Sequence, residues 1–288
     1  MDIRFLESLI AVVDSGSIAQ AARSQNITAA AISQRIQTLE QQLNSQLLNR
    51  SSHKVKPTEA CLNLLPRARK MVNDCYALPS DIDNTGLSGL FRIGAISTAL
   101  TSMIPQAVSK LGQFAAKAKL QIKPGTSAVL YELLQKEQID AAIIVKPPFP
   151  IPKYLTFRSL RSEKLTFISS KPIVGSIIDE LQKQAYIRYD PFCWGGRIVE
   201  QFISDNNIIK ESICELDALE TISILVSKGL GVSLVPAWHG FGDTAGDESP
   251  LYCQSVDNNI YDRKLVLIYS HPPNRPKIID KLISIVSE

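Results

Sequence analysis

The chain has 288 residues, 45% of them hydrophobic and 20% charged, with a net charge of +3. That length exceeds what one small core needs, so two or three domains are expected, and the composition is that of an ordinary soluble globular protein. A balance so near neutral does not announce a nucleic-acid binder, no apolar run approaches the length of a membrane span, and the polar residues Asp2, Arg4 and Glu7 break up any signal peptide.

The five cysteines, Cys61, Cys75, Cys193, Cys214 and Cys253, are odd in number and lack a CxxC pair. They read as reduced thiols of a cytoplasmic protein. Charge is unevenly distributed. Between Arg23 and Lys56 the bases are Arg23, Arg35, Arg50, Lys54 and Lys56, against Glu40 as the single acid.

Residues 3–15 carry Phe5, Leu6, Leu9, Val12 and Val13 at helical spacing. Gly16 ends that helix through positive φ, and Ser17 with Gln20 makes a capping-box start for a second one over 17–24. Asn26 suits a tight turn, and Thr28 caps a third helix. At 100° per residue, Ile36, Leu39 and Leu43 fall within about 40° of Ile32, and Ala29 lies nearer to that stripe than Ala30 does. Ala30, Ser33, Gln34, Gln37 and Gln41 lie opposite, with Arg35 on the flank. This outer face is small, then polar, and uncharged. A solvated glutamine-rich face fits it. So does a recognition helix, in which small residues admit the backbone to the major groove and Gln or Ala meets base edges. The helix–turn–helix order and the flanking bases favour the second reading.

Downstream, Arg50, Lys54 and Lys56 with Ser51, Ser52 and His53 form a basic hairpin closed by Pro57. It reads as a wing on the phosphates or in the minor groove, or as a plain surface hairpin. The candidate DNA contacts are therefore Thr28, Ala29, Ala30, Ser33, Gln34, Arg35, Gln37, Arg50, Lys54 and Lys56.

Residues 5–50 and 55–71 resemble the LysR-type transcriptional regulators, and the likeness continues along the whole chain. It is carried by the spacing of Ser17, Ala21–Ala22, Ser33, Ile36, Leu39–Glu40, Leu43, Leu47, Arg50, Thr58–Glu59–Ala60 and Leu64. Ala29–Ala30 stands where the family often has Gln-Pro or Gln-Ser, and Cys61 where it usually has Gly. The resemblance implies a regulator that binds double-stranded DNA as a homodimer, within a homotetramer, with contact to RNA polymerase. It also implies a small-molecule effector and no catalytic, cofactor or metal chemistry. No GxSxG, P-loop, GxGxxG or metal-ligand spacing is present, which speaks against an enzyme, and a solute receptor would have no use for residues 1–57.

A long helix over 58–78 bears two apolar rows, Leu62, Leu65, Val72 and Tyr76, and Leu64, Ala68, Met71, Cys75 and Leu78. The resemblance makes it the linker through which two subunits dimerise. Residues 79–89 have the composition of a hinge. From Leu90 strands and helices alternate, which predicts α/β architecture with largely parallel sheets. The resemblance makes 90–288 an effector-binding domain of periplasmic-binding-protein (type 2) style. Its two subdomains would span about 90–160 with 268–288, and 161–267, with a ligand cleft between them.

Strand-to-helix junctions place Ser97, Thr98, Thr126, Ser127 and Trp194 where a small, anionic effector would lie. Each hydroxyl is equally an ordinary N-cap. Pro147 and Val235 end strands that reach the cleft or shape turns. Asp217 with Glu220 reads as the cap of a helix over 218–228. Cys193, just before a helix start, is where a thiol pKa can fall. That leaves a redox-responsive regulator as the alternative to simple packing.

Overall fold

The computed structural model describes residues 1–51, 54–83, 85–238 and 251–287. It divides into two compact units, Met1–Leu90 with Gln135–Gln138, and Phe91–Leu134 with Ile139–Glu288.

In the first unit, α1 (Ile3–Ser15) starts at Asp2, whose carboxylate accepts from Arg4 N–H, and stops at Gly16, φ 64°. Ser17 caps α2 (Ile18–Ser24) by accepting from Gln20 N–H. Asn26 takes positive φ in the turn. Thr28 Oγ1 accepts from Ala31 N–H at 3.2 Å and opens α3 (Ala29–Leu43). Leu6, Leu9 and Val12 pack with Ile32, Ile36 and Leu39 in one core. Leu43, expected in that stripe, is exposed, because the helix ends there and Asn44 turns the chain away in αL.

Two strands, β1 (Leu48–Ser51) and β2 (Lys54–Pro57), pair antiparallel in the wing. Glu40 holds its base: one carboxylate oxygen accepts from the backbone N–H of Leu47 (2.8 Å) and Leu48 (3.1 Å). The single acid of the basic segment is thus turned inward as an anchor.

Thr58 then caps α4 (Glu59–Ile82) through Cys61 N–H. This helix runs past the expected end at 78 and takes in the first residues of the expected hinge. Its apolar rows also sort differently. Cys61, Leu64, Leu65, Ala68 and Val72 pack into the core, whereas Leu62 and Tyr76 stay exposed. Arg69 pairs with Asp14 and Tyr76 Oη donates to Glu7, so α1 is fastened to α4 by polar contacts as well.

In the second unit the five-stranded sheet has the order β4 (Ala118–Pro124), β3 (Gly89–Ala95), β5 (Ala141–Val145), β12 (Arg263–Ser270), β6 (Leu155–Glu163). A three-stranded sheet places β7 (Leu165–Ser169) between β10 (Ser233–Pro236) and β11 (Tyr252–Ser255). A two-stranded one joins β8 (Tyr186–Tyr189) to β9 (Ser212–Leu216). The sheets are mixed rather than largely parallel. β3–β5 and β8–β9 are parallel, but β12 runs antiparallel to both β5 and β6, and β7 is antiparallel to both its neighbours. β12 pairs with β6 from Arg263 onward, five residues before the return expected at 268.

The helices are α5 (Ser97–Ser102), α6 (Ile104–Phe114), α7 (Ser127–Gln135), α8 (Ile177–Lys183), α9 (Trp194–Asp205), α10 (Leu219–Ser227) and α11 (Pro276–Val286). α8 and β11 had no clear signal in the sequence, being short and weakly periodic. No helix among the described residues is long and apolar enough to cross a membrane.

Candidate DNA-reading face and effector cavity

The outward face of α3 is bare. Thr28, Ala29, Ala30, Gln34 and Gln37 are exposed and Ser33 is half-buried. Ala29, expected nearer the buried stripe, is as open as Ala30. Arg35 points elsewhere: its guanidinium donates to Ser8 Oγ (3.2 Å) and Gln25 Oε1 (3.4 Å), tying α3 to α1 and α2. It is a fastener of the three-helix core rather than a free cation on the flank. In the wing, Arg50 pairs with Val55 and Asn49 with Lys56, and Lys56 is exposed. Ser52 and His53 lie outside the described residues.

The second unit contains a cavity of about 250 Å³. Four helix starts meet at it: Ser97 from α5, Thr126 and Ser127 from α7, Trp194 from α9, and Ala218 from α10. The α9 start depends on glycine. A Cβ at Gly196 would stand 1.8 Å from Asp190 O, and one at Gly195 2.5 Å from Tyr189 Oη. Only bare backbone lets the first turn of α9 sit so close to β8.

The hydroxyls divide among roles. Thr126 Oγ1 accepts from Val129 N–H at 3.4 Å, an ordinary cap. Ser127 is buried and its Oγ accepts from Val145 N–H at 3.1 Å, fixing α7 to β5. Ser97 is exposed on the cavity wall, and α5 has no side-chain cap, so its hydroxyl remains available. Thr98 is buried behind the wall, where it accepts from Arg263 Nη2 at 3.2 Å. Pro147 and Val235 do not line the cavity; both are buried, Val235 within the core around β7 and β10.

Among the lining residues absent from the expected contacts, four carry polar or ionisable side chains: Tyr189, Arg263, Cys193 and Asp217. Arg263, 3% exposed, donates through Nε to Glu163 Oε2 at 2.6 Å. Burial pushes the Glu163 carboxyl above its usual range while the Arg263 charge pulls it down. Burial raises the pKa of the Tyr189 hydroxyl, and the nearby Arg263 charge opposes that rise. Asp217 is no cap: α10 begins at Ala218 without a side-chain cap bond. The carboxylate is exposed at the cavity and has no partner among the described residues.

Cys193 Sγ accepts from Gly196 N–H at 3.1 Å and caps α9. Burial pushes its thiol above the ordinary value, the reverse of the lowering expected from a helix start. Desolvation of the thiolate outweighs the N–H groups aimed at it. All five cysteines are free.

A winged helix–turn–helix with a linker helix, followed by an α/β domain with a cavity at converging helix starts, defines a ligand-responsive DNA-binding regulator. The chain belongs to the LysR family of transcriptional regulators. Residues 3–62 match the bacterial regulatory helix-turn-helix protein, lysR family, and residues 84–288 match the LysR substrate binding domain. The nitrogen assimilation regulatory protein nac of Escherichia coli (strain K12) is 29% identical over 242 residues, 82% of this chain and 78% of that protein. The HTH-type transcriptional regulator CzcR of Bacillus anthracis is 26% identical over 240 residues, 82% of this chain and 80% of its own. Among solved structures, a full-length OxyR variant from Pseudomonas aeruginosa matches with a TM-score of 0.72 at 18% identity, covering 99% of this chain and 94% of that one. Full-length CbnR in complex with its target DNA matches with a TM-score of 0.65 at 16% identity, covering 99% of each chain. At such identities these two support the fold.

Proposed function

We propose that this regulator reads its operator with Ala29, Ala30, Ser33, Gln34 and Gln37 of α3 in the major groove. The wing, through Arg50, Lys54 and Lys56, holds phosphates. The observation that carries this reading is the uncharged, uncovered face of α3 beside a basic hairpin whose one nearby acid, Glu40, is turned inward. CbnR, similar in fold, is known in complex with target DNA.

The protein acts as a homodimer joined by α4, paired into a tetramer. Met71, Cys75, Leu78 and Ile82 recur every three or four residues and all are exposed, an apolar stripe that a second α4 would cover. A small effector bearing an anionic group occupies the cavity, drawn by the positive ends of α7, α9 and α10. Its unequal affinity for two arrangements of the effector domain alters the presentation of the DNA-binding units, and through them the response of RNA polymerase. No cofactor and no turnover enter this reading, and the cytoplasm is its place of action.

The test is an electrophoretic mobility shift with the promoter region of its own gene across a salt series. Ser33→Ala and Gln34→Ala should relax base preference by about 1–3 kcal/mol each. Lys56→Ala should weaken all sequences alike and lower the salt slope by about one. Unchanged specific binding in all three variants would overturn the assignment.

A further inference from the structure

The charges at the cavity do not add up to a site for a simple anion. Arg263, the one cation on its wall among the described residues, is already neutralised by Glu163 in a buried pair. It also donates to Thr98, so its charge is spent on the fold. Positive potential in the cavity therefore comes from the starts of α7, α9 and α10, which suit one carboxylate. Against it stands the Asp217 carboxylate, at the α10 start, exposed on the cavity wall and without a hydrogen-bond or ion-pair partner among the described residues. A monoanion placed there would meet a like charge within the same small space. A dianion would fare worse. A ligand that carries its own cation beside its carboxylate removes the conflict, because the ammonium answers Asp217 while the carboxylate answers the helix starts. Ile96, Leu100, Pro124, Val145 and Trp194 give the wall an apolar stretch, and the Ser97 hydroxyl is free to hydrogen-bond.

From this arrangement we infer that the effector is a zwitterionic amino acid with a small, largely apolar side chain, its ammonium group bound by Asp217. This rests on the reading of the cavity as the effector site and names the ligand class for it.

Thermal unfolding of the full-length protein is measured with each of the common L-amino acids at millimolar concentration. The same is done with 2-hydroxy acids carrying the same side chains, such as lactate for alanine and 2-hydroxyisocaproate for leucine. Hits are then titrated by calorimetry against wild type and Asp217→Asn, an exposed site where the change leaves the fold intact. At least one apolar amino acid should raise the Tm, and its hydroxy-acid twin should bind at least about tenfold more weakly, the cost of losing a charged hydrogen bond. In Asp217→Asn the two should bind within about twofold of each other. If the hydroxy acid binds wild type as tightly as the amino acid, the zwitterion is overturned while the effector-site reading stands; if the discrimination survives in Asp217→Asn, the assignment of the ammonium to Asp217 is overturned. If no carboxylate of either kind binds, the effector-site reading falls and this inference falls with it.

Discussion

Glu163 and Arg263 form a buried ion pair, 2.6 Å apart and 2% and 3% exposed, at the two points where the chain passes between the sheets of its second unit. β6 ends at Glu163 and β7 begins two residues later; β12 begins at Arg263. Both crossings are thus clasped by one hydrogen bond between side chains a hundred positions apart. Removing one partner strands the other. Glu163→Ala should cost about 3–5 kcal/mol in urea unfolding of the second unit. Replacing both with apolar residues of similar volume, Glu163→Leu with Arg263→Met, should recover most of that loss. A double variant as unstable as Glu163→Ala would show that the other Arg263 contacts carry the cost.

Glu40 offers a second case. Glu40→Ala leaves the N–H groups of Leu47 and Leu48, both 1% exposed, without the carboxylate they share. The expected cost is about 1–3 kcal/mol in thermal or chemical unfolding of the first unit. Operator affinity should fall with it, because the wing loses its anchored base. Glu40→Gln, which keeps an acceptor oxygen, should retain most of both.

Glycine positions separate cleanly. Gly196→Ala drives a Cβ to 1.8 Å from a backbone carbonyl, so the turn before α9 must move, with a large fall in Tm and loss of effector response. Gly112, in α6, has nothing within 4 Å of an added Cβ and ordinary helical backbone. Gly112→Ala should stabilise by about 0.5–1 kcal/mol. An unchanged Tm in Gly196→Ala would contradict the close approach.

Thiol chemistry follows the pKa directions. A raised pKa lowers the thiolate fraction at any given pH, and the thiolate is the nucleophile. Cys61, pushed up to about 11 by burial, and Cys193, also raised by burial, should alkylate slowly with iodoacetamide at pH 8. Cys75, exposed on α4, should react first in monomeric protein and be shielded in the dimer. Peptide mapping over a time course reads this order. Rapid labelling of Cys193 would revive the redox-responsive alternative.

The N-terminal unit was largely legible in the sequence because local signals there agree with the tertiary outcome. Caps at Ser17, Thr28 and Thr58, the αL turn at Asn26 and the Ile32–Ile36–Leu39 stripe each name one structure. The effector cavity was legible only in part. Strand-to-helix junctions pointed to Ser97, Thr126, Ser127 and Trp194, since those sites follow from local pattern. Tyr189, Arg263 and Asp217 were missed because their role depends on which strands become neighbours. Arg263 opens an antiparallel β12 that a parallel-sheet expectation could not place beside Glu163. Val235 was misassigned for the same reason: alternation locates a strand end, while only the sheet order tells core from cavity. The Cys193 thiol went the other way because a helix start is visible in sequence and burial is not.

The open face of α3 has a consequence for how this regulator diversifies. Ala29, Ala30, Gln34 and Gln37 bury nothing, while the residues that hold the helix, Ile32, Arg35, Ile36 and Leu39, all point inward. Substitutions on the outer set should shift stability by no more than about 0.5 kcal/mol. Operator preference can therefore drift by single exchanges without folding penalty, and a duplicated copy of the gene could acquire a new target while its fold stays as it was.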